Sequence, residues 1–241
     1  MTAAPAATTS TFLQGAGEVG DIILGRDWAA TCLGPIGEWT PTMRSLVAMM
    51  VRSPVAMVTM WGEHGTLIYN QAYSTFAGVR HPEIMGMTAT DAFPEIADFN
   101  RSVIPAVLGG QPLSFRDQEL TWMRDGKLQR YWLDLDYSPI FDEHDVAIGI
   151  LCVVVDTTGK VNAERKLKGE HARLAQMFEQ APGFMVLLQG PRHTITQANR
   201  AYAALVGHRE LIGLTIAEAL PEATEQGFVG LLDAIYASGD T

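Results

Sequence analysis

The sequence predicts an α+β protein: a five-stranded antiparallel sheet with a helical crossover, a linker helix, and then an incomplete second copy of the same unit. Two observations carry this. The first is an internal repeat. Asn70-x-Ala72-Tyr73, Gly78, Gly86-Met87-Thr88 and Phe93-Pro94-Glu95 are matched by Asn199-x-Ala201-Tyr202, Gly207, Gly213-Leu214-Thr215 and Leu220-Pro221-Glu222. The Asn-to-Gly spacing is 8 in both copies and the Thr-to-Pro spacing is 6 in both; a two-residue difference falls between the glycines. Asn, Gly and Pro at matched intervals punctuate turns and helix ends, so one supersecondary unit is used twice. The second observation is the order of patterns in the first copy. It reads strand–strand, helices, strand–strand–strand, the arrangement of an antiparallel sheet with its helices segregated.

Residues 1–14 are expected to be a leader without order, because they hold no basic residue and no apolar core of a signal peptide. Residues 15–158 form the first unit with a helical extension at its front. Within that extension Thr40-Pro41 supplies an N-cap followed by proline at the first helical position. Met43, Leu46, Val47 and Met50 then follow the i, i+3, i+4, i+7 rule, predicting an amphipathic helix over 41–51. Residues 55–61 are apolar and partly β-branched, a strand. Glu63-His64-Gly65 turns it into a second strand at 66–69. A short helix at 71–77 and further short helices up to Phe93 come after it, then a longer helix over 98–108 closed by Gly109-Gly110.

Three strands come next, at 114–123, 128–138 and 146–156. Asp125-Gly126 is a hairpin signal between the first two, and residues 142–145 turn between the second and third. Residues 146–155 are apolar at almost every position, which predicts burial on both faces. The helices of 71–108 would cover one face, and helix 41–51 is the candidate for the other, either within one chain or across a dimer. Residues 159–181 read as a linker helix with Leu167, Leu174 and Met177 amid charges, near a/d spacing. Residues 182–241 repeat the opening strand pair and the helical stretch without the last three strands. That second copy is expected to be unstable alone or completed by a neighbour.

Composition narrows the function classes. The net charge of −10 and a pI near 5.0 repel phosphate backbones, so nucleic acid is not an expected partner. Cys32 and Cys152 make neither a disulfide framework nor a zinc pattern, which fits a reducing compartment. The charge-free apolar run at 146–155 is far short of the roughly 20 residues a membrane helix needs. A cytoplasmic chain without a membrane segment is expected.

The order of elements and the residues Tyr69-Asn70-x-Ala72-Tyr73, Gly78, His81-Pro82, Gly86 and Phe93-Pro94-Glu95 resemble the strand-to-helix region of PAS domains from bacterial sensor histidine kinases. Asp156-Thr157-Thr158 before Glu164-Arg165-Lys166 is similar to the ending of such domains. Gly17-Glu18-x-Gly20 through Leu33-Gly34-Pro35-Ile36-x-x-Trp39 resembles the leader that precedes this PAS type. The resemblance implies signal input rather than catalysis. It implies a kinase domain downstream in the parent chain, while the amphipathic N-terminal helix and the linker helix themselves lead to an expected homodimer formed through both. Other outputs, such as a diguanylate cyclase, use similar input units. A PAS scaffold that binds nothing and only dimerises is the alternative.

The resemblance also places a ligand pocket between helices and sheet, with Met57, Tyr73, Phe93, Phe99, Phe115, Tyr131 and Cys152 as candidate lining. Met60, Tyr69 and Phe76 belong to the same aromatic and Met set, which would fill an empty core equally well. An unknown small ligand therefore stays open. Heme is argued against because the 98–108 helix has no histidine; the six histidines are His64, His81, His144, His171, His193 and His208. His171 lacks the surroundings of a phospho-accepting histidine. An adduct-forming flavin needs a cysteine where Ala89 and Ile216 stand. Asp156, Thr157, Leu167 and Leu174 are the expected signal relay.

Two sharper patterns have plainer explanations. Gly15-Ala16-Gly17-Glu18-Val19-Gly20 fits a dinucleotide-binding expression, but no buried strand precedes it and Gly25 closes the short segment after it. Asp134 and Asp136, with Glu119 nearby, could hold a metal or do acid–base work. Their spacing is also what a half-solvated strand gives, with Tyr131, Leu133, Leu135 and Tyr137 on its other face. No metal site and no catalytic residue are expected.

Overall fold

Residues 11–124, 126–207 and 209–239 are described by a computed structural model, which divides into one unit up to Asn162 and another from Ala163. The first unit begins earlier than the sequence suggests. Thr11–Leu13 forms a 3-10 turn and Leu13 is buried in the main core, so residues 11–14 are not a disordered leader. The apolar pair Phe12-Leu13 has a core to join. Residues 1–10 of the expected leader lie outside the described residues.

Helix α1 (Gly17–Gly25) buries Val19 and Ile23, one turn apart. Helix α2 (Pro41–Val51) has the predicted bounds: the Thr40 hydroxyl accepts from the Met43 N–H at 3.2 Å, and Met43, Val47, Met50 and Val51 are buried. The sheet comprises β1 (Met57–Trp61), β2 (Thr66–Tyr69), β3 (Leu113–Arg124), β4 (Lys127–Phe141) and β5 (Ala147–Asp156) in the order β2-β1-β5-β4-β3, antiparallel throughout. Arg124 pairs with Lys127, leaving the two-residue connection expected of the hairpin. Asp125 of that signal lies outside the described residues. The Asp142 carboxylate accepts from the N–H groups of His144 and Val146 (2.8 and 2.9 Å) and closes the β4–β5 turn. Between β2 and β3 run α3 (Gln71–Ala77), α4 (Ala89–Ala92) and α5 (Ala97–Leu108), which cover one face of the sheet.

The other face corrects one expectation. Helix α2 packs on β1 and β2, and Cys32 from the loop after α1 reaches the same edge, with Sγ 3.0 Å from Thr66 Oγ1. Thr59, Trp61, Thr66 and Ile68 are buried there. The cover does not extend across β5. Ile150, Cys152 and Val154 are buried on the helix side, while Val155 is 47% exposed and Leu151 and Val153 are half-buried. The central strand is thus apolar on both faces but fully buried on one.

Asn70 organises the junction of α2, β1 and α3. Its side chain is fully buried. Oδ1 accepts from the N–H groups of Met57 (3.1 Å) and Tyr73 (3.0 Å), and Nδ2 donates among the carbonyls of Met50, Ser53 and Val55. One amide therefore starts a strand, caps a helix and ties off the end of another.

Helix α6 (Thr158–Gln180) leads into the second unit, which holds β6 (Val186–Gln189), β7 (Thr194–Ala198), α7 (Arg200–Leu205), α8 (Ile216–Ala219), α9 (Pro221–Glu225) and α10 (Phe228–Ser238). Asn199 is also fully buried; it accepts from Met185 and Tyr202 N–H groups (3.0 and 2.9 Å) and donates to Gly183 O (2.8 Å). Among the described residues this unit has a two-stranded sheet and a small core of Ile195, Leu211, Ile216 and Ala219. Phe184, Leu187, Leu231 and Ile235 are exposed. A two-stranded hairpin is marginal by itself.

Replacing Asn70 with Ala strands several buried backbone groups at once, so the first unit is expected to lose about 3 kcal/mol or more. Urea unfolding followed by tryptophan fluorescence measures this. A loss below about 1 kcal/mol would show that Asn70 is not the hub described.

Candidate functional site: a cavity in the first unit and its exit helix

Strand alternation sends every second side chain of the sheet toward the helices. Val58 pairs with Cys152, and Cys152 with Tyr137, so these three stand side by side across β1, β5 and β4. Facing them are Tyr73 and Phe76 from α3, Ala89 from α4, and Phe93, Ile96 and Asn100 from the segment that becomes α5. Together with Trp122 and aliphatic neighbours they enclose a cavity of about 50 Å³.

Its polar groups are few and neutral. Burial pushes the Tyr73 and Tyr137 hydroxyls and the Cys152 thiol well above their ordinary pKa values. Asn100 donates from Nδ2 to Ala89 O at 3.1 Å. Trp122 stacks on Tyr131 with ring centroids 4.1 Å apart, and its buried Nε1 has no hydrogen-bond partner among the described residues.

The structure brings Tyr73, Phe93 and Cys152 of the expected lining together, with Met60 and Phe76. The other four stand elsewhere. Met57 pairs with Val153 on the opposite face. Phe99 and Phe115 pair with each other at 5.3 Å, and Phe115 meets Tyr137 at 6.1 Å, beside the cavity rather than in its wall. Tyr131 lies behind Trp122 and donates its hydroxyl to Gln129. Sequence reasoning missed Trp122, Asn100 and Tyr137 as lining. Tyr137 was readable, since it shares strand parity with Leu133 and Leu135. Asn100 was readable as a polar residue one turn before Val103 and Ile104.

The remaining patterns resolve into ordinary packing. Asp136 pairs with Arg116 at 2.9 Å and accepts from Ser114, Asp134 accepts from the Asp117 N–H, and Glu119 pairs with Arg130 at 3.0 Å. Among the described residues no His, Cys, Asp and Glu group could hold a metal ion. Gly15, Gly17 and Gly20 come after a 3-10 turn, not a strand, and a Cβ on Gly20 would lie 2.6 Å from the Ala16 Cβ. His81 Nδ1 lies 2.9 Å from the Tyr69 hydroxyl, and buried His193 bonds Asp233 at 2.8 Å. His171 is exposed on α6; His208 lies outside the described residues. Ala89, where the flavin-adduct cysteine would stand, is in the cavity wall.

The exit from β5 is tightly fastened. Asp156 Oδ1 accepts from the Thr158 N–H at 2.8 Å and so opens α6. Thr157 is buried, and its N–H and hydroxyl both donate to Trp132 O of β4 (2.8 and 3.0 Å). Trp132 N–H in turn donates to the Thr158 hydroxyl. A bulge in β3 between Phe115 and Gln118 places Asp117 at φ +46°, and its carboxylate accepts from Lys160 Nζ at 3.3 Å. The first turn of α6 is therefore held by two strands. Leu167 and Leu174 stand beyond it, 59% and 61% exposed.

A five-stranded antiparallel sheet with a helix-covered cavity and a fastened exit helix defines the first unit as an α+β domain. Family models described as PAS domain match residues 54–159 and 172–235, together most of the chain. The chain belongs to the PAS domain family, whose members are sensory modules. Among solved structures, the PAS domain of Bordetella pertussis BvgS is 16% identical, with 56% of this chain and 99% of that one covered at a TM-score of 0.41. A sensory box sensor histidine kinase from Vibrio cholerae is 17% identical, with 47% and 88% covered at 0.32. An RNA-binding light-oxygen-voltage receptor is 18% identical, with 61% of this chain covered at 0.41; the match spans 42% of that receptor's length. No curated protein matches. Among the described residues no helix is long and apolar enough to cross a membrane.

Neighbouring Thr157 and the Lys160 ammonium hold the Asp117 carboxyl below the usual carboxylate range. A lowered folded-state pKa contributes stability above the unfolded value, near 3.9, and that contribution is lost as pH falls through the folded value. Asp117→Asn is expected to speed hydrogen exchange of the Val161 amide at pH 6 by a few-fold, and the difference from wild type should shrink toward pH 3. Equal exchange at both pH values would remove Asp117 from the fastening.

Proposed function

We propose that this chain is the signal-input and dimerisation part of a bacterial two-component protein, most simply a sensor histidine kinase acting in the cytoplasm. The observation that carries this reading is α6. Its first turn is tied to β3 and β4, and the helix then presents Leu167, Leu174 and Met177 to solvent at a/d spacing while its other positions are mostly polar or charged. Such a seam is incomplete without a partner helix. A second copy of the same helix supplies one. Met49 on α2 and the half-covered outer side of β5 offer a further contact in the same dimer. A change in the sheet then passes through Trp132, Asp117 and Thr157 to the paired helices as a rotation or register shift.

The size of the cavity favours a second reading. At about 50 Å³ it is far below the roughly 300–1,000 Å³ of ordinary ligand and cofactor sites. A flavin or heme would require the core to open. A scaffold that dimerises and senses nothing would be content with so filled a core. Both readings share the dimer.

Light scattering of the whole chain separates them from a monomeric role. The wild-type chain is expected at twice 26.2 kDa. Leu167→Glu with Leu174→Glu is expected to weaken the dimer at least tenfold by placing charge on the seam. A wild-type chain that stays monomeric at high concentration would overturn the proposal.

A further inference from the structure

If the first unit senses a molecule, the reading on which this inference rests, its cavity restricts what that molecule is. No charged side chain contributes to the wall, so an entering ion would shed its hydration with no opposite charge to meet it. The polar atoms available are hydroxyls, a thiol and amide or indole nitrogens. Trp122, whose ring lines the wall, carries a buried N–H without a partner among the described residues. Buried donors are nearly always paired, and one left unpaired is relieved by any acceptor placed against it. The space of about 50 Å³ is several times the roughly 10–15 Å³ that one water needs on the same measure, so it suits a molecule of only a few non-hydrogen atoms.

We propose that the cavity takes a small uncharged carbonyl compound, such as a short ketone or aldehyde, whose oxygen accepts from Trp122 Nε1 or a wall tyrosine while its alkyl part meets Val58, Leu135 and Val154. The apolar wall binds the carbon skeleton, and the donors select the oxygen. Isosteric carboxylates are excluded by charge and saturated hydrocarbons gain no hydrogen bond.

Acetone and acetate test this directly, since they share a shape and differ in charge. The full chain labelled with ¹⁵N at its five tryptophans gives indole signals, with Trp122 assigned by Trp122→Phe. Acetone is expected to move the Trp122 signal saturably, with half-saturation near the millimolar range that so small a ligand allows. Acetate should need at least tenfold more. Cys152→Leu, which fills the cavity, should abolish the acetone response; if that variant fails to fold, the acetone and acetate pair on the wild-type chain decides alone. No saturable movement with acetone, or an equal response to acetate, overturns the proposal. A silent Trp122 signal in a chain that is still dimeric removes this ligand class and leaves the signal-input reading standing. A monomeric chain with a saturable acetone response does the reverse.

Discussion

The buried side-chain amide of Asn70 is the interaction on which the first unit depends. It satisfies backbone groups from α2, β1 and α3 that would otherwise be buried without partners, and such groups are costly. Asn199 makes the same kind of bonds in the second unit, so the repeat in the sequence is a repeat of this junction. The rest of the shared punctuation fits around it. Gly86 and Gly213 donate to Leu67 O and Ile195 O (2.7 and 2.9 Å), and Thr88 and Thr215 cap the helices after them. Gly86 has φ +76°, and a Cβ there would lie 2.5 Å from Arg26 Nε. Arg80 bonds Ala92 O and pairs with Glu95, while Arg209 bonds Ala219 O and pairs with Glu222.

From that junction the sheet receives two different faces. One is closed by the crossover helices and keeps the small cavity; Glu95 also accepts from the Met123 N–H, linking those helices to β3. The other is covered over β1 and β2 by the N-terminal extension and left half-open over β5. The exit helix starts directly after β5 and is fastened to β4 through Thr157 and Trp132. A displacement of β4 moves Tyr137 in the cavity wall and Trp132 at the exit together, because both lie on one continuous strand.

Elements fixed by local chemistry were legible in the sequence. Thr40-Pro41 and Asn70 carry their own caps, and helices 41–51 and 71–77 have the expected bounds. What depended on distant partners was not. The apolar run before Trp61 offers no alternation, so nothing local says that Val58 and Met60 face the cavity and Met57 does not. The bulge at Asp117 shifts the phase of β3. Phe115 and Trp122 therefore face the same way although their numbers differ in parity, which simple counting cannot foresee. The apolar character of β5 likewise could not tell which face α2 would leave half-covered. The fastening of the exit helix was half legible: Asp156 and Thr157 stand in a recognisable run, whereas Asp117 and Lys160 meet only through the bulge.

The central claim is that the state of the cavity is felt along α6 in a dimer. Spin labels at Lys168→Cys, in a Cys32→Ser background, report the distance between the two helices. Filling the cavity by Leu135→Phe is predicted to shift that distance distribution by roughly 2 Å or more, while the chain remains dimeric. Identical distributions in the filled and unfilled chains, or no dipolar coupling at all, would contradict the account.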